Sequence, residues 1–104
     1  MVHKISNNTF YSDAGHGWLK VSLKDLEELG IVDQITPYSY IKGNYAYLEE
    51  DADANTFAKA FEKKTGKKVK FADIKEVVET TGRSPIRNYL PYSPQSARRK
   101  LKLM

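Results

Sequence analysis

The sequence predicts an α+β fold, in which a small and mainly antiparallel sheet carries two short helices packed on one face. Two runs of β-forming residues flank Gly43-Asn44, a pair suited to a tight hairpin turn. Apolar residues recur at helical spacing over residues 54–65, and a shorter leucine stripe precedes Gly30. These three signals define the predicted domain.

The first strands are expected on either side of a glycine-containing turn. Residues 1–8 are polar and are expected to form a flexible N-terminus. Residues 9–11 are a candidate strand, and residues 18–22 are a second one, whose alternating side chains place one face in the core. Between them, two glycines flank His16 and favour a compact turn.

A short helix is expected after the second strand. Ser22 is suited to cap residues 24–29, and Asp25 stands three residues later, as in a capping box. Gly30 occupies the place of a C-terminal glycine stop. The apolar stripe of this helix consists of Leu23, Leu26 and Leu29.

The predicted hairpin over residues 38–50 has two chemically different faces. With a two-residue loop, the pairing runs outward from Lys42 and Tyr45 to Tyr38 and Glu49. Because side chains alternate across a strand, one face is mainly aliphatic and the other is rich in tyrosine. The aliphatic face carries Ser39, Ile41, Ala46 and Leu48, and the other face carries Tyr38, Tyr40, Tyr45 and Tyr47.

The longest predicted helix covers residues 54–65. Asp53 is a suitable N-cap, and the acids before it lie at the positive end of the helix dipole. Gly66 is expected to end the helix. The apolar stripe consists of Ala54, Phe57, Ala58 and Phe61.

The C-terminal part is less regular. Residues 67–71 are predicted as a strand, and residues 72–81 favour a strand over a short helix because β-branched residues dominate. Residues 86–92 are expected to lie along the domain surface. Residues 93–104 are expected to form a basic C-terminal tail, because Pro94 discourages a helix at its start.

The composition is that of one soluble domain. The chain has 104 residues, and its globular part is placed at residues 9–92. Cysteine is absent, which excludes a disulfide framework and a thiolate metal site. The sequence has neither a signal-peptide pattern nor an apolar run of membrane-spanning length, so we expect a cytoplasmic protein without membrane contact.

The charge is unevenly distributed along the chain. Residues 1–50 hold four Lys/Arg and seven Asp/Glu, a balance of −3, whereas residues 51–104 hold thirteen and six, a balance of +7. A basic half is attracted to nucleic acid or to acidic protein surfaces, although lysines that merely solvate a small domain give the same pattern. The candidate nucleic-acid or phosphate residues are Lys63, Lys64, Lys67, Lys68, Lys70, Arg83 and Arg87.

No catalytic or metal-binding motif rises above background. The acids of residues 49–53 are ligands that Mg²⁺ or Ca²⁺ prefers, but they lack the spacing of a calcium loop and suit a helix N-terminus equally well. Ser12, Asp13 and His16 have the residue types of a catalytic triad, yet closeness in sequence carries little weight for one. We therefore expect no enzymatic activity, no metal site and no cofactor.

The tyrosine-rich face is either a second wall of the core or an exposed binding patch. Tyrosine is favoured at interfaces because its ring buries area while its hydroxyl keeps a hydrogen bond. Phe57 and Phe61 are expected to cover the aliphatic face, which leaves some tyrosines outward. The predicted partner-binding residues are Tyr38, Tyr40, Tyr45, Tyr47, His16 and Trp18.

Residues 9–61 carry several short motifs that are specific in combination. They are Phe10-Tyr11-Ser12-Asp13, Gly15-His16-Gly17-Trp18-Leu19, Leu29-Gly30-Ile31, Tyr38-Ser39-Tyr40 and Tyr47-Leu48-Glu49-Glu50-Asp51. This set is similar to that of a family of small phage, plasmid and bacterial proteins without an established activity. Similar proteins often have a cysteine after the last motif, where this chain has Ala52, so no thiol role carries over.

The resemblance implies a bacterial intracellular setting and a mobile-element origin. Together with the missing catalytic motifs, it leads us to expect a small, non-enzymatic accessory protein that binds a host protein. Inhibition of that protein, in host defence or metabolism, is the accompanying hypothesis. The alternative is a nucleic-acid-binding protein that uses the basic C-terminal half. The sequence does not indicate an oligomeric state.

Overall fold

The computed structural model describes residues 8–69, 74–80 and 82–104. The strands are β1 (Thr9–Ser12), β2 (Gly17–Ser22), β3 (Tyr40–Lys42), β4 (Tyr45–Glu49), β5 (Lys75–Val78) and β6 (Leu90–Pro91). The helices are α1 (Leu23–Glu28), α2 (Asp53–Thr65) and α3 (Pro94–Lys102), and 3-10 turns occupy Val32–Gln34 and Pro85–Asn88. The strand order is β5-β1-β2-β4-β3-β6, and of these pairs only β1 and β5 are parallel. The predicted α+β fold is therefore confirmed, with one helix more than expected.

The helices all pack on one face of the sheet, which we call the helix side. Alternate residues of β2 and β4, such as Leu19 and Leu48, point into this core. Helix α1 contributes Leu26, α2 contributes Phe57, and α3 contributes Ala97. The rings of Phe57 and Phe61 stack with their centroids 6.1 Å apart. The helix side therefore holds the larger apolar core, as the aliphatic face of the hairpin predicted.

The hairpin pairing is confirmed next to the turn and ends earlier than expected. Lys42 pairs with Tyr45 and Tyr40 pairs with Tyr47, and Gly43 has a φ of 59°, which favours glycine. Ser39 does not continue the ladder, because its hydroxyl replaces a backbone partner and accepts the N–H of Glu49 at 2.9 Å. Position 38 therefore lies in a turn, outside the strand.

The first helix begins as predicted. The Ser22 hydroxyl accepts the backbone N–H of Asp25 at 3.1 Å, which satisfies one of the free donors of the first turn. After the helix, Gly30 has a φ of 71°, the left-handed conformation of a glycine stop. Ser22 and Gly30 thus lie at the two ends of α1, as the sequence predicted.

Asp53 has a different role from the predicted N-cap. It is the first residue of α2, follows the cap residue Ala52, and is buried. Its Oδ2 accepts hydrogen bonds from the Thr36 backbone N–H at 3.0 Å, the Thr36 hydroxyl at 2.7 Å and the Ser39 hydroxyl at 2.5 Å. The carboxylate therefore ties the start of α2 to the segment that leads into β3.

The expected tail at residues 93–104 contains helix α3. The Ser93 hydroxyl accepts the N–H of Ser96 at 3.1 Å, and Pro94 is the first helical residue, where its missing N–H costs nothing. Ala97 is fully buried and Leu101 packs against the same core. The expectation that Pro94 discourages a helix was wrong, because a proline in the first turn is compatible with one.

The region after α2 agrees with the prediction only in part. Residues 67–69 form no strand, and the rest of the strand predicted over 67–71 lies outside the described residues. Within 72–81, Lys75–Val78 is a strand, as β-branched residues favoured. In the segment expected along the surface, Tyr92 is buried and donates its hydroxyl to the Val32 carbonyl at 2.7 Å. The flexible N-terminus expected at residues 1–8 lies almost wholly outside the described residues.

Candidate functional site

The face opposite the helices, which we call the aromatic side, holds a second small core. Trp18, Tyr47 and Ile86 are its buried residues, and Tyr11, Tyr40 and Tyr89 pack around them. Ile86 comes from the 3-10 turn Pro85–Asn88, which therefore covers part of the sheet. The Tyr47 ring lies 5.1 Å from Tyr89 and 6.0 Å from Tyr11, measured between centroids. This face is partly core and partly surface.

The four hairpin tyrosines differ in exposure for that reason. Tyr38 is 76% exposed and Tyr45 is 43% exposed, whereas Tyr40 is half-buried and Tyr47 is buried. Burial, followed by the nearby tyrosines, raises the pKa of Tyr47 to about 12. Tyr47, one of the predicted partner-binding residues, is a buried member of this small core. Tyr45 makes a cation–π contact with Lys20, whose Nζ lies 4.2 Å from the centroid of the tyrosine ring.

An ion pair between Asp13 and Arg87 holds the 3-10 turn Pro85–Asn88 in place, and we call this turn the covering segment. Arg87 Nε donates to Asp13 Oδ2 at 2.7 Å, and Nη2 donates to Oδ1 at 2.8 Å. The Ser84 backbone N–H donates to Oδ2 at 2.9 Å. The Asp13 side chain is only 2% exposed, and these hydrogen bonds, that of Arg87 first, hold its pKa far below the usual range. The carboxylate therefore stays ionised and joins the β1–β2 turn to residues 84–87.

The same carboxylate orients the turn around His16. Asp13 Oδ1 accepts the backbone N–H of Gly15 at 3.0 Å and that of His16 at 3.1 Å. It therefore contacts the main chain of His16, while Ser12 donates its hydroxyl to Glu76 at 3.2 Å. The three residues with triad-like chemistry consequently do not form the hydrogen-bond relay that a triad requires.

Arg87 has a role that differs from the predicted phosphate contact. Two of its nitrogens are bound to Asp13, which also raises the pKa of the guanidinium. Its Cζ lies 5.4 Å from the centroid of the Trp18 ring, within the range of a cation–π contact. Arg83, the other arginine proposed for phosphate, is exposed. The contact with Asp13 therefore occupies two of the nitrogens with which Arg87 could bind a phosphate.

An open cleft of about 410 Å³ lies beside this ion pair on the aromatic side. Trp18, 2% exposed, contributes to its floor, and its ring centroid lies 6.2 Å from that of Tyr40 and 6.1 Å from that of His16. Tyr38 projects from the rim. We call this site the aromatic cleft, and its lining residues are His16, Trp18, Tyr38, Tyr40, Glu49, Ala52 and Arg87.

The aromatic cleft brings together four of the six predicted partner-binding residues, and Tyr45 and Tyr47 lie outside it. Glu49 and Arg87 are lining residues that were not assigned to it from the sequence. The sequence marked Glu49 as one of an acidic run and Arg87 as one of the basic residues. Nothing in the spacing of the chain indicates that they meet, because their approach depends on β4 and the covering segment.

Of the acidic run, only Glu49 lines the cleft, whereas Glu50 and Asp51 line another pocket. The Glu49 carboxylate lies 3.9 Å from His16 Nδ1, and its other oxygen accepts the Asp51 backbone N–H at 2.9 Å. Burial, and then the charges of Asp51 and Glu49, raise the pKa of the neighbouring Glu50. Because Asp53 points into the helix-side hydrogen-bond network, the predicted acidic run divides between two faces. In the described part of the chain, no group of three or more His, Cys, Asp or Glu side chains is suited to hold a metal ion.

The lysines of α2 lie on a separate surface. Lys59, Lys63 and Lys64 of α2 line a shallow groove of about 690 Å³, together with apolar residues such as Ile31. Lys67 and Lys68 are exposed beyond the end of α2, and Lys70 lies outside the described residues. Within residues 8–69, 74–80 and 82–104, no helix has the length and apolar composition needed to cross a membrane.

Comparisons with family models, with curated proteins and with solved structures gave no match.

Proposed function

We propose that this protein is a non-enzymatic accessory protein that binds a host protein in the bacterial cytoplasm through the aromatic cleft. A phage or mobile-element origin, and inhibition of the bound protein in host defence or metabolism, are part of the proposal. These parts depend on the resemblance of the sequence motifs. The observation that carries the binding proposal is the exposure of Tyr38, at 76%, on the rim of a cleft floored by Trp18.

The composition of the cleft supports a protein partner. Tryptophan, tyrosine and arginine are the residues that most often dominate the binding energy of protein interfaces, usually beside a pocket at the centre. The cleft combines Trp18, Tyr40 and Arg87, and the Asp13 carboxylate holds the arginine in place before any partner arrives. A surface that is already ordered loses less conformational entropy on binding.

The test is a pull-down from bacterial lysate with nuclease treatment. We expect a protein that is retained at moderate salt by the unchanged chain and lost with Tyr38→Ala. Tyr45→Ala is the matched control, because Tyr45 is an exposed tyrosine of the same hairpin that does not line the cleft. Loss of the captured protein with Tyr45→Ala alone, or retention with both variants, would contradict the proposal.

Nucleic-acid binding is the second candidate, and one observation favours it. The three charged residues that line the groove on α2, Lys59, Lys63 and Lys64, are all lysines. We expect retention on single-stranded or duplex DNA to fall steeply between about 50 mM and about 200 mM salt if this surface binds phosphates. Replacing Lys63 and Lys64 with Gln is expected to reduce the salt dependence, while Lys24→Gln serves as a control on α1. Binding that is independent of salt excludes this candidate.

A further inference from the structure

We propose that the aromatic cleft receives a cationic side chain, arginine or lysine, from a basic segment of the partner protein. The inference rests on the proposed function and adds to it the chemistry of the partner. It follows from the charges that line the cleft, from the rings that are open to a ligand, and from contacts that other rings on the aromatic side already make.

The charge of the cleft favours a cation. Arg87 is its one lining residue with a permanent positive charge, and the bidentate contact with Asp13 compensates that charge. The remaining charged group is the Glu49 carboxylate, whose Oε1 lies 3.9 Å from His16 Nδ1. An acidic ligand would therefore meet a like charge there, whereas a cation would find a carboxylate partner.

The rings of the cleft offer the second half of such a site. A guanidinium or ammonium is attracted to the face of a tyrosine or tryptophan within about 6 Å of its centroid. Elsewhere on the aromatic side, Lys20 lies 4.2 Å from the Tyr45 ring and Lys42 lies 4.5 Å from the Tyr89 ring. Among the described residues, no such cation covers Tyr38 or Tyr40, so these rings are available to a ligand.

The test uses the fluorescence of Trp18, which is the single tryptophan of the chain and lies in the cleft. The probe is N-acetyl-arginine amide, titrated at millimolar concentration. N-acetyl-citrulline amide is the control, because it has a similar shape without the charge. We expect a saturable change with the arginine probe and about tenfold weaker binding of citrulline. Equal affinities, or tighter binding of N-acetyl-glutamate amide, would overturn the inference.

Two isosteric variants test the position of the site. Glu49→Gln is expected to weaken the arginine probe about tenfold, and its amide oxygen can still accept the Asp51 N–H. Glu50→Gln removes the same charge one residue away, from a side chain that does not line the cleft, and is expected to change the affinity by less than about threefold. Equal effects of both variants would show a diffuse attraction and overturn the assignment to the cleft.

The outcomes separate this inference from the proposed function. If the captured protein is lost with Tyr38→Ala but is unaffected by Glu49→Gln, the binding function stands and the cationic anchor is wrong. If Tyr38→Ala has no effect on capture while the arginine probe binds, the function proposed for the cleft is wrong. A second copy of the chain is another possible occupant. Sedimentation that shows an oligomer dispersed by Glu49→Gln would assign the cleft to self-association and overturn the external partner.

Discussion

Two aspartates, Asp13 and Asp53, each accept several hydrogen bonds that join separate segments of the chain. Asp13 receives two nitrogens of Arg87 and three backbone N–H groups, and Asp53 receives three donors from Thr36 and Ser39. Each carboxylate is withdrawn from water and must be fully hydrogen-bonded to remain charged. Their role is to join distant segments, and that role depends on partners from 14 to 74 positions away.

The pH dependence of stability tests the role of Asp13. Its pKa in the folded protein lies well below the ordinary value of 3.8, so the unfolded chain takes up a proton first on acidification. The stabilisation is therefore complete above that value and is lost as the pH falls below it. We expect Asp13→Asn to be less stable at pH 7, and we expect its difference from the unchanged protein to narrow as the pH falls from about 4 to about 2.

The measurement is the midpoint of urea denaturation from about pH 7 to about pH 2. Asp51→Asn is the matched control, because Asp51 is exposed and its side chain is not part of this network. A stability difference between Asp13→Asn and the unchanged protein that is the same at every pH would show that the ionised carboxylate is not its source.

Among the secondary-structure elements, α3 differs most from the expectation, because a basic tail was predicted at residues 93–104. Its basic composition predicted a solvated tail, and only a narrow stripe of Ala97 and Leu101 contacts the core. After Pro94, the other residues of α3 are polar or basic. Arg98 forms an ion pair with Asp33, which follows α1 in the chain. A helix this short is not stable in isolation, so its presence depends on the surface that the other helices and Tyr92 provide.

A buried charge tests whether α3 belongs to the folded core. Ala97→Asp places a carboxylate at a fully buried position, and we expect it to lower the free energy of unfolding by about 3 kcal/mol or more. Gln95→Asp introduces the same side chain at an exposed position in the first turn, where the helix dipole favours an acid. Urea denaturation of both variants is the measurement, and equal stabilities would mean that α3 does not contribute to the core.

The whole molecule consists of one sheet with a core on each face. The helix side is apolar and extensive, while the aromatic side is smaller and is closed by the 3-10 turn Pro85–Asn88. The two sides share the strands β2 and β4, whose residues alternate between the cores. The Glu49 carboxylate lines the aromatic cleft, and the lysines of α2 line a groove on a different surface.

Because the two cores share strands, we expect them to unfold together. Trp18 is 2% exposed in the aromatic core and gives a fluorescence signal that is specific for it, whereas far-ultraviolet circular dichroism follows the helices. The two signals are expected to give one urea midpoint, within about 0.2 M, as in a two-state transition. A change in tryptophan fluorescence at clearly lower urea would show that the covering segment opens before the helix side unfolds.

Local chemistry was sufficient to determine the elements whose signals lie within a few residues of one another. The hairpin turn at Gly43, the cap at Ser22 and the apolar stripe of α2 follow from backbone preferences and from helical or strand periodicity. The two different faces of the hairpin were predictable for the same reason. These features give the α+β class, and they do not depend on the rest of the chain.

Only the tertiary structure decided which side chains on the two faces of the hairpin are exposed to a ligand. The covering segment buries Tyr47 and leaves Tyr38 exposed, and the Asp13–Arg87 ion pair that holds it joins residues 74 positions apart. The aromatic cleft likewise combines Glu49, Arg87 and the turn around His16 from three separate parts of the chain. Such contacts depend on the packing of whole elements, which residue spacing does not encode. The sequence therefore predicted four of the seven lining residues, and the fold added the charged side chains of Glu49 and Arg87.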